Sequence, residues 1–164
     1  MTTPFLLPSE HGKKNALKQL IVTACIVTVA DGLAAVVMTY VMHDRPPVFV
    51  FQYIASGLLG LDAFSGGLTS AFLGLVIHFL ISSTWTLVFF ILNRPMSAII
   101  SSRLAIGILY GIVIWIFMNL AILPLSRVPE GPRSWQQILT GITALILAAG
   151  LPMSFRFERF YSGR

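Results

Sequence analysis

Four stretches of the chain are apolar for long enough to cross a hydrocarbon layer, and polar or proline-rich breaks separate them. The first runs over about 17–42, interrupted by Lys18, Gln19, a few threonines and Asp31, and it exceeds the roughly 20 residues that a spanning helix needs. His43, Asp44, Arg45, Pro46 and Pro47 end it, since consecutive prolines lack backbone donors and restrict the residue before them. The second stretch covers about 68–92 and stops at Asn93, Arg94 and Pro95. The third covers about 104–123 and ends at Pro124; the fourth covers about 135–153, with Pro152 near its end. Between the first two, residues 48–61 are apolar and aromatic but too few to span, which predicts an interfacial or re-entrant helix with a flexible end at Gly57, Gly60, Gly66 and Gly67. The pattern predicts an all-α integral membrane four-helix bundle, a single transmembrane domain over 1–164. Residues 1–15 read as a short polar tail, and the first run is too long for a cleaved secretory signal, so it is expected to stay as an anchor.

Composition agrees, because 56% hydrophobic against 10% charged residues leaves too much apolar surface for a soluble core of 164 residues. The net charge of +5 comes from Lys and Arg at the ends of the apolar runs, which suits lipid head groups and topology rather than nucleic acid. Lys13, Lys14, Lys18, Arg94, Arg103, Arg156, Arg159 and Arg164 fall on one side, and Arg45, Arg127 and Arg133 on the other. The richer side is expected in the cytoplasm, giving N-in/C-in topology with the 48–61 segment outside. Tyr40, Tyr53 and Trp135 then mark the outer interface and Tyr161 the inner one. The single cysteine, Cys25, allows no intrachain disulfide and is expected to act as a small packing residue.

Membrane helices associate through small residues that let backbones approach, and every predicted span carries such a stripe. Helix 1 offers Ala24, Thr28, Gly32 and Ala35. Helix 2 offers Gly67, Ala71, Gly74, His78 and Ser82; helix 3 offers Gly107, Gly111, Trp115 and Asn119; helix 4 offers Gly141, Ala144 and Ala148. Gly107 and Gly111 form the one GxxxG pair among these stripes, suited to intrachain packing or to a dimer seam.

Three polar residues stand on or beside these stripes, where burial is costly unless they are paired or wet: Asp31, His78 and Asn119. Asp31 and His78 lie near the middles of two helices that run in opposite directions, so their side chains are expected to meet at one depth. Such a pair either fixes helix register by hydrogen bonding or exchanges a proton near neutral pH. Asn119 precedes Pro124 and is expected either to satisfy backbone freed by that proline or to line an outer vestibule. His43, Asp44 and Asp62 make a poor cation site, and no metal or cofactor is expected: the sequence has no CxxC pair, no HExxH and no nucleotide-binding glycine loop. A haem would need His78 from two copies. Ser82 or Ser83 beside His78 lacks any oxyanion site, so no enzyme is expected.

The runs Gly57-Leu58-Leu59-Gly60, Ala63-Phe64-Ser65-Gly66-Gly67, Leu73-Gly74-Leu75 and His78-Phe79, with Tyr110-Gly111, Met118-Asn119-Leu120 and Leu123-Pro124-Leu125-Ser126, resemble a group of small bacterial inner-membrane proteins, the YagU-like proteins. The resemblance covers about 30–155. It implies four spans and a bacterial cytoplasmic membrane, includes His78 and Asn119 in its pattern, and supplies no activity. The expected function is therefore non-enzymatic, through association with the bilayer and with itself or other membrane subunits. The alternative is a small proton-coupled carrier or channel using Asp31 and His78.

Overall fold

The computed structural model describes the backbone of residues 10–129, 131 and 134–161, and the side chains of 15–129, 131 and 134–157. It is all-helical, with no strand among the described residues. The helices are α1 (Glu10–His43), α2 (Pro47–Leu59), α3 (Gly67–Ile99), α4 (Arg103–Phe117), α5 (Leu123–Leu125), α6 (Trp135–Leu145) and α7 (Leu151–Tyr161). A 3-10 turn, Gly60–Phe64, follows α2, and two π turns, Met118–Ile122 and Ile146–Gly150, join α4 to α5 and α6 to α7. Five segments are long and apolar enough to cross a membrane by length and composition: Asn15–His43, Pro47–Phe64, Gly67–Ile99, Arg103–Leu125 and Trp135–Phe157.

The expected boundaries differ from the observed ones wherever a proline was read as a stop. Helix α3 does not end at Asn93, Arg94 and Pro95 but runs through Pro95 to Ile99. One proline removes a single donor, and the polar groups around it are tied down: Ser97 Oγ donates to the Asn93 carbonyl (2.6 Å) and Arg103 donates to Ser97 Oγ (2.7 Å). Pro124 and Pro152 are likewise inside continuous helical rods. Each directly follows a residue whose N–H reaches back five positions, Leu123 to the Met118 carbonyl and Leu151 to that of Ile146. The one-residue slip absorbs the ladder defect that the proline creates. The short helix is also longer than its expected 48–61: α2 starts on Pro47, a favoured first helical position, and with the 3-10 turn reaches 18 residues.

Both ends of this segment lie at the same end of the bundle. His43, just before α2, has its Nε2 3.1 Å from Gln137 Nε2 at the start of α6. At its other end the Arg127 N–H donates to the Gly57 carbonyl (3.0 Å), Gln52 donates to the carbonyl of Gly67 (3.2 Å), and Ser70 Oγ donates to that of Ala63 (2.6 Å). We call this the α2 end. Between its ends α2 dips, so that Phe51 rests on Gly74, two turns into α3, where a Cβ would overlap the Phe51 carbonyl oxygen.

The opposite half of the bundle holds a packed core of Val27, Phe89, Ile106, Tyr110, Ile114, Ala149, Met153 and Phe157. The Tyr110 hydroxyl donates to the Trp85 carbonyl (2.7 Å) and its ring meets Phe89 edge-on. Gly107 and Gly111 face Leu151, Gly150 and Ile146, so the GxxxG pair lies in an intrachain seam. Gly141 lies under the Trp115 indole, 3.0 Å from Nε1 to a Cβ built on it. Cys25, expected to pack, is exposed instead; it stands between the buried pairs Thr23–Ala24 and Val27–Thr28 on the outward side of α1.

Helix α6 begins with a reciprocal cap: Ser134 Oγ accepts from the Gln137 N–H (3.3 Å), and Gln137 Oε1 accepts from the Ser134 N–H (2.8 Å). Ser134→Ala is expected to cost about 1 kcal/mol of stability in detergent, the usual worth of such a cap. An unchanged unfolding midpoint would show that the α6 start is held by the bundle alone.

Candidate functional site

Asp31 and His78 come together. Helix α1 sets Asp31 one turn beyond Val27 and Thr28, and α3 sets His78 one turn beyond Gly74 on its buried face. His78 Nε2 is 3.9 Å from Asp31 Oδ2, an ionic contact rather than a hydrogen bond. The same nitrogen lies 3.1 Å from the Thr28 carbonyl oxygen. It therefore carries the proton in that contact, and Thr28 in turn donates its hydroxyl to the Ala24 carbonyl (2.8 Å). Gly32 makes room for the ring: a Cβ there would touch Nε2 at 3.4 Å. The imidazole is thus seated on the backbone of α1 with the carboxylate at its edge.

The two partners differ in access. His78 is buried, whereas the Asp31 side chain keeps 24% of its surface. Asp31 points along the same side of α1 as Val27, which is 2% exposed within the core. Its exposed part therefore opens between the helices.

Asn119 lies in the π turn of the third rod, and its amide donates to the Trp115 carbonyl (2.8 Å) one turn back. It satisfies backbone of its own helix below the turn, rather than next to Pro124. The small residues that the sequence singled out divide by contact: Gly32 with His78, Gly74 with α2, Gly107 and Gly111 with the second π turn, and Gly141 with Trp115. His43, Asp44 and Asp62 do not gather, and no group of three metal-binding side chains exists among the described residues. Ser82 is buried one turn from His78, and Ser83 Oγ is buried with no hydrogen-bond partner.

Two polar clusters at the other end of the bundle were not anticipated. Asn93, 1% exposed, accepts from Arg103 (3.4 Å), whose carbonyl accepts from Ser154 Oγ (2.7 Å). Arg156 donates to Thr23 Oγ1 (3.2 Å) and Gln19 Oε1 (3.3 Å). Each cluster joins two or more helices, and sequence gives only the hint that an Asn or Gln stands beside an apolar run. Lys18, Arg94, Arg103 and Arg156 thus belong to one end, and Arg45 and Arg127 to the α2 end. Arg133, Arg164 and the side chains of Lys13, Lys14, Arg159 and Tyr161 lie outside the described residues.

Comparison with protein-family models, with curated proteins and with solved structures finds no match for this chain.

Proposed function

We propose that the chain is a four-span protein of a bacterial cytoplasmic membrane, N-in/C-in, that acts without catalysis by associating with itself or with other membrane subunits. The four-span count rests on α2: a helix whose two ends lie at one end of the bundle enters and returns, so only α1, α3, the α4–α5 rod and the α6–α7 rod cross. The basic residues named above separate by end as the positive-inside rule requires. The YagU-like runs support the choice of membrane.

The association reading is carried by α6, which buries none of its residues against its own chain. Trp135, Leu139 and Leu147 are exposed along one ridge of that rod, and Leu120 and Leu125 along the third. Without a hydrophobic drive between helices in lipid, a span gains its place by close packing, and a second chain supplies what α6 lacks.

The test is purification from native membrane in mild detergent, with Leu139→Cys cross-linking on a Cys25→Ala background. We expect either a cross-linked homodimer or a stoichiometric co-migrating subunit. A chain that runs alone and does not cross-link would refute the association reading.

A further inference from the structure

The bundle is sealed in one half and unsealed in the other. Away from the α2 end, Val27, Phe89, Ile106, Tyr110, Ile114, Ala149, Met153 and Phe157 close the interior. Toward the α2 end the inward positions change character. On α1, Asp31 is followed by Ala34, Ala35, Met38 and Met42, all partly exposed; on the third rod, Ile114 is followed by Met118 and Ala121, also partly exposed. Helix α6 repeats this at Ile138, Ile142 and Leu145, and no residue of 115–125 or 135–145 is buried. The α2 contact does not fill that space, for its buried residues, Val50, Gln52, Ala55 and Ser56, belong to the layer that packs on α3. The change occurs one turn beyond Val27, where Asp31 and His78 stand.

We propose that the unsealed half is an aqueous vestibule open at the α2 end, and that the Asp31–His78 pair on its floor is a proton-binding site reached from that side only. The inference rests on the four-span reading and concerns the inward faces, whereas association uses the outward ridges. Chemistry supports the ligand. A carboxylate and an imidazole at mid-depth need water or each other, and 3.9 Å is too long for the pair to satisfy itself directly. A proton taken from vestibule water can rest on either group. Helices α2 and α6 bring no Asp, Glu, Lys, Arg or His to this depth, α4 brings only Tyr110 below the seal, and the nearest charges, Asp44, Arg45, Asp62 and Arg127, lie at the rim.

The chain's three histidines make the test. In proteoliposomes of full-length protein in one orientation, 15N-histidine NMR follows each imidazole while the pH on one side is stepped through the range where histidine titrates, with signals assigned by His→Gln variants. His43 reports the α2 end, and His11 the other side of the membrane. We expect His78 to respond together with His43, and Asp31→Asn to change the pH at which His78 responds but not that for His43. A His78 signal that follows His11, or neither side, overturns the proposal. His11 and His43 answering the same side refutes the four-span reading itself. Water entry is checked on a Cys25→Ala background with an impermeant thiol reagent added to the side of His43. Met38→Cys on the inward face should react in the time that Asp44→Cys takes, whereas Leu33→Cys on the outward ridge should not. A silent Met38→Cys beside a reactive Asp44→Cys means that the space is filled by lipid or side chains, and overturns the vestibule.

Discussion

Gly74→Ala should unfold the protein at much lower denaturant than the parent chain, with a loss of about 3 kcal/mol, the upper end of ordinary overpacking costs. The added methyl would overlap the Phe51 carbonyl oxygen, which is backbone and cannot rotate away. Helix α2 must then lift from α3, and with it the buried side chains Val50, Ala55 and Ser56. The control is Gly131→Ala, where no atom lies within 4 Å of the new Cβ and the change should stay within about 0.5 kcal/mol. Titration with a denaturing detergent, read by tryptophan fluorescence, compares the two. Equal midpoints for both variants would mean that α2 does not rest on α3. Since Phe51 sits two turns below the start of α3, loss of this contact should also raise the thiol reactivity of a cysteine placed at Ala71, next to the seam.

The contact shows what the chain discloses about itself and what it withholds. Long apolar runs identify all-helical rods because 20 or more such residues have few soluble alternatives, and a stripe of small residues marks the helix faces that neighbours approach. Gly32, Gly74, Gly107, Gly111 and Gly141 were legible on that basis as packing positions, and Asp31 and His78 as the polar pair at mid-depth. Which neighbour each glycine meets was not legible, since spacing gives a face and not a partner. The ends of the rods were misplaced for a different reason. Pro95, Pro124 and Pro152 read as stops when each is judged alone, but in this chain a side-chain network or a π turn accommodates each one. Neither compensation has a local sequence signature. The clusters around Asn93 and Arg156 escaped for the same reason, as they join residues far apart in the chain.

Gly150 carries the clearest consequence of a π turn. A stripe counted at the helical period from Gly141 passes through Ala144 and Ala148 and leaves Gly150 to one side. The extra residue in the turn Ile146–Gly150 rotates everything after it by about 100°. Gly150 is thereby brought onto the face that meets α4, where a Cβ would overlap the Gly107 carbonyl oxygen and come within 3.0 Å of the Gly111 nitrogen. Gly150→Ala should therefore cost on the order of 3 kcal/mol, as much as Gly74→Ala and far more than alanine's better helix propensity would return. The two variants fail in different places. Gly150→Ala opens the α4–α7 seam beside the core residues Ile106 and Met153, so it should disturb the sealed half and leave the α2 contact intact. The discriminating readout is cysteine protection at two positions, Ala105→Cys beside the α4–α7 seam and Ala71→Cys beside α2. Gly150→Ala should change the first and spare the second, and Gly74→Ala should do the reverse. If Gly150→Ala is as stable as the parent chain, the rod is an unbroken α-helix at this point, and Gly150 faces away from α4.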